Sequence, residues 1–235
     1  QAKDHDGYVW WERWLGHEWG LAPEIDWNAD HFFRFRKYLA YNGGLATDLL
    51  YHRLAPFLRA IEGGNGAYPS RVVASGGTFL EKDERDIPDT FLMVADYPNE
   101  HSIVLSSVMT NDVGLPTIIR GQHGTAYIDD NKLVGQRTWE AEFKGKNGDQ
   151  MEVALPPHQR RDHMGNFFEC VKSRELPISD AFSHHWSATV LHLANLCLLL
   201  KRKLTWDIER ERVVGDREAD THQEREQRKG FEITV

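Results

Sequence analysis

Asp48 and His52 are the two residues whose types and spacing could support proton transfer. They lie four residues apart, just after the turn-forming run Asn42-Gly43-Gly44. Residues four apart share one face of an α-helix, so the carboxylate could orient the imidazole and raise its basicity. A purely structural Asp–His pair has the same spacing, so the spacing alone leaves both interpretations open.

A helix over residues 43–62 is expected to present this pair. At about 100° per residue, its apolar side chains form a face opposite Asp48 and His52. The apolar face consists of Leu50, Leu54, Phe57, Leu58 and Ile61. Pro56 lacks the N–H that would bond the His52 carbonyl, so we expect the helix to kink or loosen there. These details favour the catalytic interpretation of the pair.

Segments along nearly the whole chain resemble the C-terminal domain of the Gfo/Idh/MocA oxidoreductase family. That family carries a Gly-Gly…Asp-x-x-x-His segment, which corresponds here to Gly43-Gly44, Asp48 and His52. The other similar segments are Phe35-Arg36-Lys37-Tyr38, Tyr41-Asn42, residues 163–174, His192-Leu193-Ala194-Asn195, Lys203-Leu204-Thr205-Trp206-Asp207 and residues 225–232. The chain is therefore identified as a member of the family, and these motifs leave its substrate unspecified.

The resemblance implies the substrate-binding and oligomerisation domain of an NAD(P)-dependent oxidoreductase acting on a sugar, polyol or related alcohol. His52 would take or return the hydroxyl proton during hydride transfer, Asp48 would orient the imidazole, and Arg36 would contact the small-molecule substrate. Two alternatives remain open. One is an NAD-dependent non-redox glycosidase or lyase on the same scaffold. The other is a non-catalytic oligomerisation module in which Asp48 and His52 are structural partners.

The cofactor-binding elements of the family are missing from this sequence. Gly63-Gly64-Asn65-Gly66 follows a helix and lacks the G-x-G-x-x-G spacing of a dinucleotide-binding turn. Glu81-Lys82 is followed by Asp83, whereas the family has a Glu-Lys-Pro segment with a catalytic lysine. We therefore expect residues 1–235 to form one domain that binds neither NAD nor NADP and is inactive alone. The cofactor domain would lie upstream of Gln1 or in a partner chain.

Composition excludes several other classes of protein. The net charge of −8 argues against a nucleic-acid partner, and no apolar run approaches the roughly 20 residues of a membrane span. The 12 histidines form no metal-binding motif, so no metal site is predicted. Cys170 and Cys197 lie in apolar patterns and are expected to be buried free thiols. The compartment is unknown, with the cytoplasm favoured, because any targeting signal would lie upstream.

The order of the predicted elements indicates an α+β fold. Three β-rich runs, residues 71–80, 90–97 and 101–110, precede two helices, residues 158–173 and 180–202, the second with Asp180 as N-cap. Shorter candidate strands are residues 117–120, 125–128 and 150–155. We predict a mainly antiparallel open sheet with helices packed on one face. The other face would be apolar and would form a homo-oligomer.

Two further segments are polar or aromatic. Residues 8–41 are aromatic-rich and irregular, and contain Trp10, Trp11, Trp14, Trp19 and Trp27. These rings could pack into the core or line a cleft that binds a sugar ring. Residues 209–229 are mostly charged and are expected to form a solvated strap with a short helix.

Overall fold

The computed structural model describes residues 5–62, 67–156, 162–223, 227 and 229–233. These residues form two compact units: residues 112–178 make up the second, and the described residues before and after them make up the first. All the strand pairs described are antiparallel. The predicted α+β class is confirmed.

The helices and strands have the following bounds. The helices are α1 (Trp11–Leu15), α2 (Ala29–Phe33), α3 (Tyr51–Ile61), α4 (Glu140–Lys146), α5 (His163–Ser173), α6 (Ala181–Leu200) and α7 (Arg217–Thr221). The strands are β1 (Arg71–Gly77), β2 (Thr90–Tyr97), β3 (His101–Val108), β4 (Ile118–Arg120), β5 (Gly124–Tyr127), β6 (Lys132–Gly135), β7 (Glu152–Ala154), β8 (Leu204–Asp207) and β9 (Arg212–Val213). A π-helical segment, Leu45–Leu50, directly precedes α3.

The first unit contains a five-stranded open sheet in the order β3–β2–β1–β8–β9. Helix α6 lies against β1, and α3 packs on α6. Side chains of β2 alternate between buried and exposed, as expected for a strand with one covered face. The buried side chains of β1 and β2 meet those of α6; they are Val72, Phe91, Met93, Ala95, Val190, Leu191, Ala194 and Cys197. The prediction of helices on one face of the sheet is confirmed.

The opposite face of this sheet carries an open apolar row. Val73 on β1 pairs with Val94 on β2, and Val94 pairs with Val104 on β3. Their side chains are 44%, 37% and 67% exposed, respectively. Arg71 and Asp96 flank the row on one side and form an ion pair. The face is thus an apolar strip with a polar edge.

The second unit contains a separate four-stranded sheet in the order β4–β5–β6–β7. Phe143 of α4 is buried against this sheet, where Gly135 leaves room for its ring. The sequence predicted neither β6 nor α4, and it did not predict that the short strands form a sheet of their own. These elements are short, and their partners define them more than their own periodicity does.

The two long helices after the strands agree with the predictions. Asp180 caps α6 by accepting hydrogen bonds from the N–H groups of Phe182 and Ser183. The other helix is described from His163, with Asp162 as its cap, and residues 157–161 lie outside the described part. The glycines at 63, 64 and 66, expected to end α3, also lie outside it. In the charged tail, α7 is the predicted short helix, although residues 224–226 and 228 are not described.

Candidate functional site

The helix that carries Asp48 and His52 is not α-helical throughout. Asp48 lies in the π segment, whereas His52 lies in the first turn of α3. An α-helix turns about 100° per residue, and the wider i→i+5 turn of a π-helix changes which side chains share a face. The α-helical spacing argument therefore does not place these two side chains together.

Asp48 contacts Arg36 instead. The Arg36 Nε donates a hydrogen bond to Asp48 Oδ2 at 2.6 Å, and the two side chains are 62% and 36% exposed. The guanidinium carbon of Arg36 also lies 4.6 Å from the centre of the Phe35 ring. Within the described part of the chain, no hydrogen bond joins Asp48 to His52. The partner of the Asp48 carboxylate in this structure is therefore Arg36.

His52 is exposed in the first turn of α3, four residues after Asp48. Its ring lies edge-on to the neighbouring Tyr51 ring, with 6.0 Å between their centres. The Tyr51 hydroxyl bonds to His184 Nδ1, and His184 Nε2 bonds to the Ser179 hydroxyl. The sequence analysis did not identify this polar chain, because its members are far apart in sequence. Burial raises the pKa of Tyr51, so its hydroxyl stays protonated at neutral pH.

The backbone beside Arg36 is fixed by the connection between β1 and β2. The Lys37 carbonyl accepts hydrogen bonds from the N–H groups of Asp86 and Ile87, and Asp86 Oδ1 accepts one from the Leu39 N–H at 2.6 Å. Lys37 Nζ lies 3.0 Å from Asp30 Oδ2 and 2.9 Å from Asp83 Oδ2. Asp83 and then Asp30 raise the pKa of Lys37, so the ammonium stays charged. This network holds the segment that presents Arg36.

A glycine turn leads into the π segment. Gly44 has φ +69° and ψ −157°, a combination essentially restricted to glycine. A Cβ at this position would lie 2.7 Å from Ile87 Cγ2. Asn42 closes the turn by accepting a hydrogen bond from the Gly44 N–H at 2.6 Å. The double glycine is therefore required by backbone conformation and close packing.

The aromatic segment forms a packed cluster next to this turn. Trp11 and Trp14 stack with ring centres 5.0 Å apart, and Trp14 lies 5.0 Å from Tyr41. His31 Nδ1 and the Tyr41 hydroxyl are 3.0 Å apart. Trp27 packs on Trp11 but remains 43% exposed. The cluster thus supports the Tyr41–Asn42 turn and leaves one indole face accessible.

The described residues contain no parallel βαβ unit. A dinucleotide site requires a parallel βαβ unit with a glycine-rich turn at the helix N-terminus. The strand pairs described here are antiparallel, and β1 runs to β2 without an intervening helix. No group of three or more His, Cys, Asp or Glu side chains suited to a metal ion occurs among these residues. None of their helices is long and apolar enough to cross a membrane.

Solved structures with the same fold come from several bacteria. An NAD-binding protein from Listeria innocua is 17% identical with a TM-score of 0.56, over 73% of this chain and 50% of that one. An aldose-aldose oxidoreductase from Caulobacter crescentus, complexed with glycerol, is 14% identical with a TM-score of 0.54, over 73% and 50%. The WlbA dehydrogenase from Bordetella pertussis, in complex with NADH and UDP-GlcNAcA, is 16% identical with a TM-score of 0.50, over 74% and 48%.

These likenesses, at such low identity, concern the fold. The chain spans about half the length of the relatives. No curated protein matches it by sequence. The family described as "Oxidoreductase family, C-terminal alpha/beta domain" matches residues 9–233, which is nearly the whole chain. The chain therefore belongs to the Gfo/Idh/MocA oxidoreductase family, whose C-terminal α/β domain it contains.

Proposed function

We propose that this chain is the substrate-binding and oligomerisation part of an NAD(P)-dependent oxidoreductase acting on a sugar, polyol or related alcohol. The family match supports an oxidoreductase. Two relatives support the substrate class, since one is an aldose-aldose oxidoreductase complexed with glycerol and the other holds NADH and UDP-GlcNAcA. A separate cofactor domain, upstream or in a partner chain, would hold the nicotinamide that exchanges hydride with the substrate carbon.

The observation that carries the proposal is the Arg36–Asp48 ion pair at the π segment, with His52 exposed four residues further along the chain in the first turn of α3. His52 takes or returns the proton of the reacting hydroxyl, because an accessible imidazole can exchange protons near neutral pH. Asp48 is acceptor-only when ionised and can receive a hydrogen bond from a substrate hydroxyl. In this arrangement a substrate hydroxyl, rather than a direct bond, connects Asp48 with His52.

Arg36 has two roles in the proposal. Its Nε donates to one oxygen of Asp48, and its terminal NH groups are further donors that could bind substrate oxygens. The packing of its guanidinium on Phe35 limits the motion of a side chain that is otherwise exposed. π-Helical turns occur frequently at functional sites, which also supports placing the chemistry at the π segment.

The open sheet face is the proposed oligomer interface. The row Val73–Val94–Val104 would be covered by the same row of a second copy, as expected for a two-fold interface. Arg71 and Asp96 at its edge could form polar contacts at the rim of such an interface. This face lies opposite α6, so association would leave the packing of α3 on α6 undisturbed.

The proposal is tested with the chain joined to its cofactor domain. A panel of aldoses and polyols is incubated with NAD⁺ or NADP⁺, and reduced nicotinamide is followed by absorbance. Substrate-dependent reduction supports the proposal. Turnover without net change in the cofactor would indicate a glycosidase or lyase instead, and absence of any turnover would favour a non-catalytic module. Calorimetry on residues 1–235 alone should show no saturable NAD(H) or NADP(H) binding.

A further inference from the structure

Asn195 is a polar residue on the otherwise apolar helix α6. Its neighbours Ala194 and Cys197 are fully buried, and Asn195 itself is half-buried. The side-chain Nδ2 donates a hydrogen bond to the Gly43 carbonyl at 2.7 Å, across 152 residues of sequence. A half-buried amide without a partner would be destabilising, so this bond is what makes the residue compatible with the helix.

The bond is made to the turn that precedes the π segment. Gly44 has its glycine-only conformation there, and Ile87 packs against it with no room for a side chain. A Cβ on Gly43 would overlap the Thr47 hydroxyl. Backbone in such a conformation persists only when the surrounding contacts hold it. Asn42, Ile87 and Asn195 provide those contacts from three parts of the chain.

The conformation of this turn determines the helical register that follows. The π segment begins immediately after Gly44, and π turns are rare because α-helical hydrogen bonding is the usual alternative. A change from π to α register would shift Asp48 relative to α3 by up to about 100°, the rotation that one residue makes in an α-helix. Asp48 would then leave the position in which Arg36 Nε lies 2.6 Å from its carboxylate.

We propose that Asn195 is a positioning residue for this site. Its amide holds the Gly43–Gly44 turn and thereby the π register that places Asp48 against Arg36. The inference deepens the proposed function, because it names a residue on which that site depends. It also explains why Asn195, within the resembling segment His192-Leu193-Ala194-Asn195, interrupts an apolar helix.

The test is made on residues 1–235 without cofactor or substrate. Asn195→Asp keeps the shape and removes the donor, whereas Asn195→Gln keeps an amide donor. NMR follows hydrogen exchange of the Arg36 Nε–H and of the amides in the π segment. With Asn195→Asp, both should exchange roughly tenfold faster or more, because a buried carbonyl loses its partner. Asn195→Gln should restore much of the protection.

Val213→Ala is the matched control, since Val213 is buried on the remote edge strand β9. Val213→Ala should lower the global free energy of unfolding. The exchange rate of the Arg36 Nε–H, relative to that of the other protected amides, should stay unchanged. The inference would be overturned if Asn195→Asp made all amides exchange faster to the same degree. It would also be overturned if the exchange rate of the Arg36 Nε–H did not change. If Asn195→Asp does not fold, Asn195→Ala, which also removes the donor, supplies the comparison. Because no turnover is measured, failure of this inference is distinguishable from failure of the proposed function.

Discussion

Asp89 offers the sharpest test of how the fold holds the candidate site. Its side chain is fully buried at the start of β2. The carboxylate accepts hydrogen bonds from the N–H groups of Phe79, Leu80 and Glu81 at 3.1, 2.7 and 2.8 Å, and from the Thr90 hydroxyl at 3.0 Å. These bonds fix the β1–β2 connection, which in turn holds the backbone next to Arg36. Asp89→Asn should weaken this support without changing the volume of the side chain.

The magnitude follows from the hydrogen bonds. An asparagine oxygen can still accept from Leu80 and Glu81, but the amide nitrogen faces the Phe79 N–H and leaves it unpaired. One buried unpaired donor costs about 1–3 kcal/mol. The two retained bonds lose their charge assistance, about 1 kcal/mol each. The free energy of unfolding at pH 7 should therefore fall by about 3–5 kcal/mol.

The pH dependence of this loss has a defined sign. Burial alone would raise the pKa of Asp89, but the N–H groups of Glu81, Phe79 and Leu80 lower it to about 2. The folded pKa is thus below the value in the unfolded chain, about 3.9. The contribution of the ionised Asp89 carboxylate to the free energy of unfolding is fully present above the pKa of the unfolded chain. It is lost as the pH falls from about 4 towards 2. The difference between Asp89→Asn and the unchanged protein should shrink over that window.

Urea unfolding at pH 7 and at pH 3 measures both quantities. The free energy of unfolding of Asp89→Asn should differ strongly from that of the unchanged protein at pH 7 and less at pH 3. A loss below about 1 kcal/mol at pH 7, or an equal loss at both pH values, would refute the reasoning, because hydrogen bonds to a charged group are expected to exceed that value.

Two further predictions concern the turn and the sheet face. Gly44→Ala should lower the free energy of unfolding by about 2–4 kcal/mol, because the new side chain strains the backbone and overpacks against Ile87. Urea unfolding measures this loss, and a loss under about 0.5 kcal/mol would contradict the assigned backbone conformation. Val94→Lys should prevent the proposed association through the valine row in light scattering, because an unpaired charge would be buried there. The same association with and without Val94→Lys would exclude this face as the interface. The charge-neutral control Val94→Thr should retain association.

Periodicity predicted the parts of the fold that have strong, continuous patterns. The cap at Asp180 and the long apolar helix after it gave α6 nearly its observed bounds, and the β-rich run of residues 90–97 gave β2 its observed bounds. The second sheet was not predicted, because its strands have three or four residues and depend on one another for definition.

The geometry of the candidate site was less accessible to sequence reasoning. The resemblance pointed to Arg36, Asp48 and His52, but an α-helical interpretation paired Asp48 with His52. The π register arises from the turn at Gly44 and from its contacts with Ile87 and Asn195, which are distant in sequence. The run Asn42-Gly43-Gly44 predicts a turn, but nothing local predicts the π register after it, since a π segment has no composition of its own. The Arg36–Asp48 pair is likewise a product of tertiary structure.

The most direct test of the proposed site is the turnover of His52→Ala in the chain joined to its cofactor domain. Removing general acid–base help should lower turnover by about 10²–10⁴-fold. Because His52 is exposed, the melting temperature should stay within a few degrees of the unchanged protein. His222→Ala, which removes an exposed histidine after α7, is the matched control and should retain normal turnover. Normal turnover of His52→Ala, or a loss matched by early melting, would contradict the account.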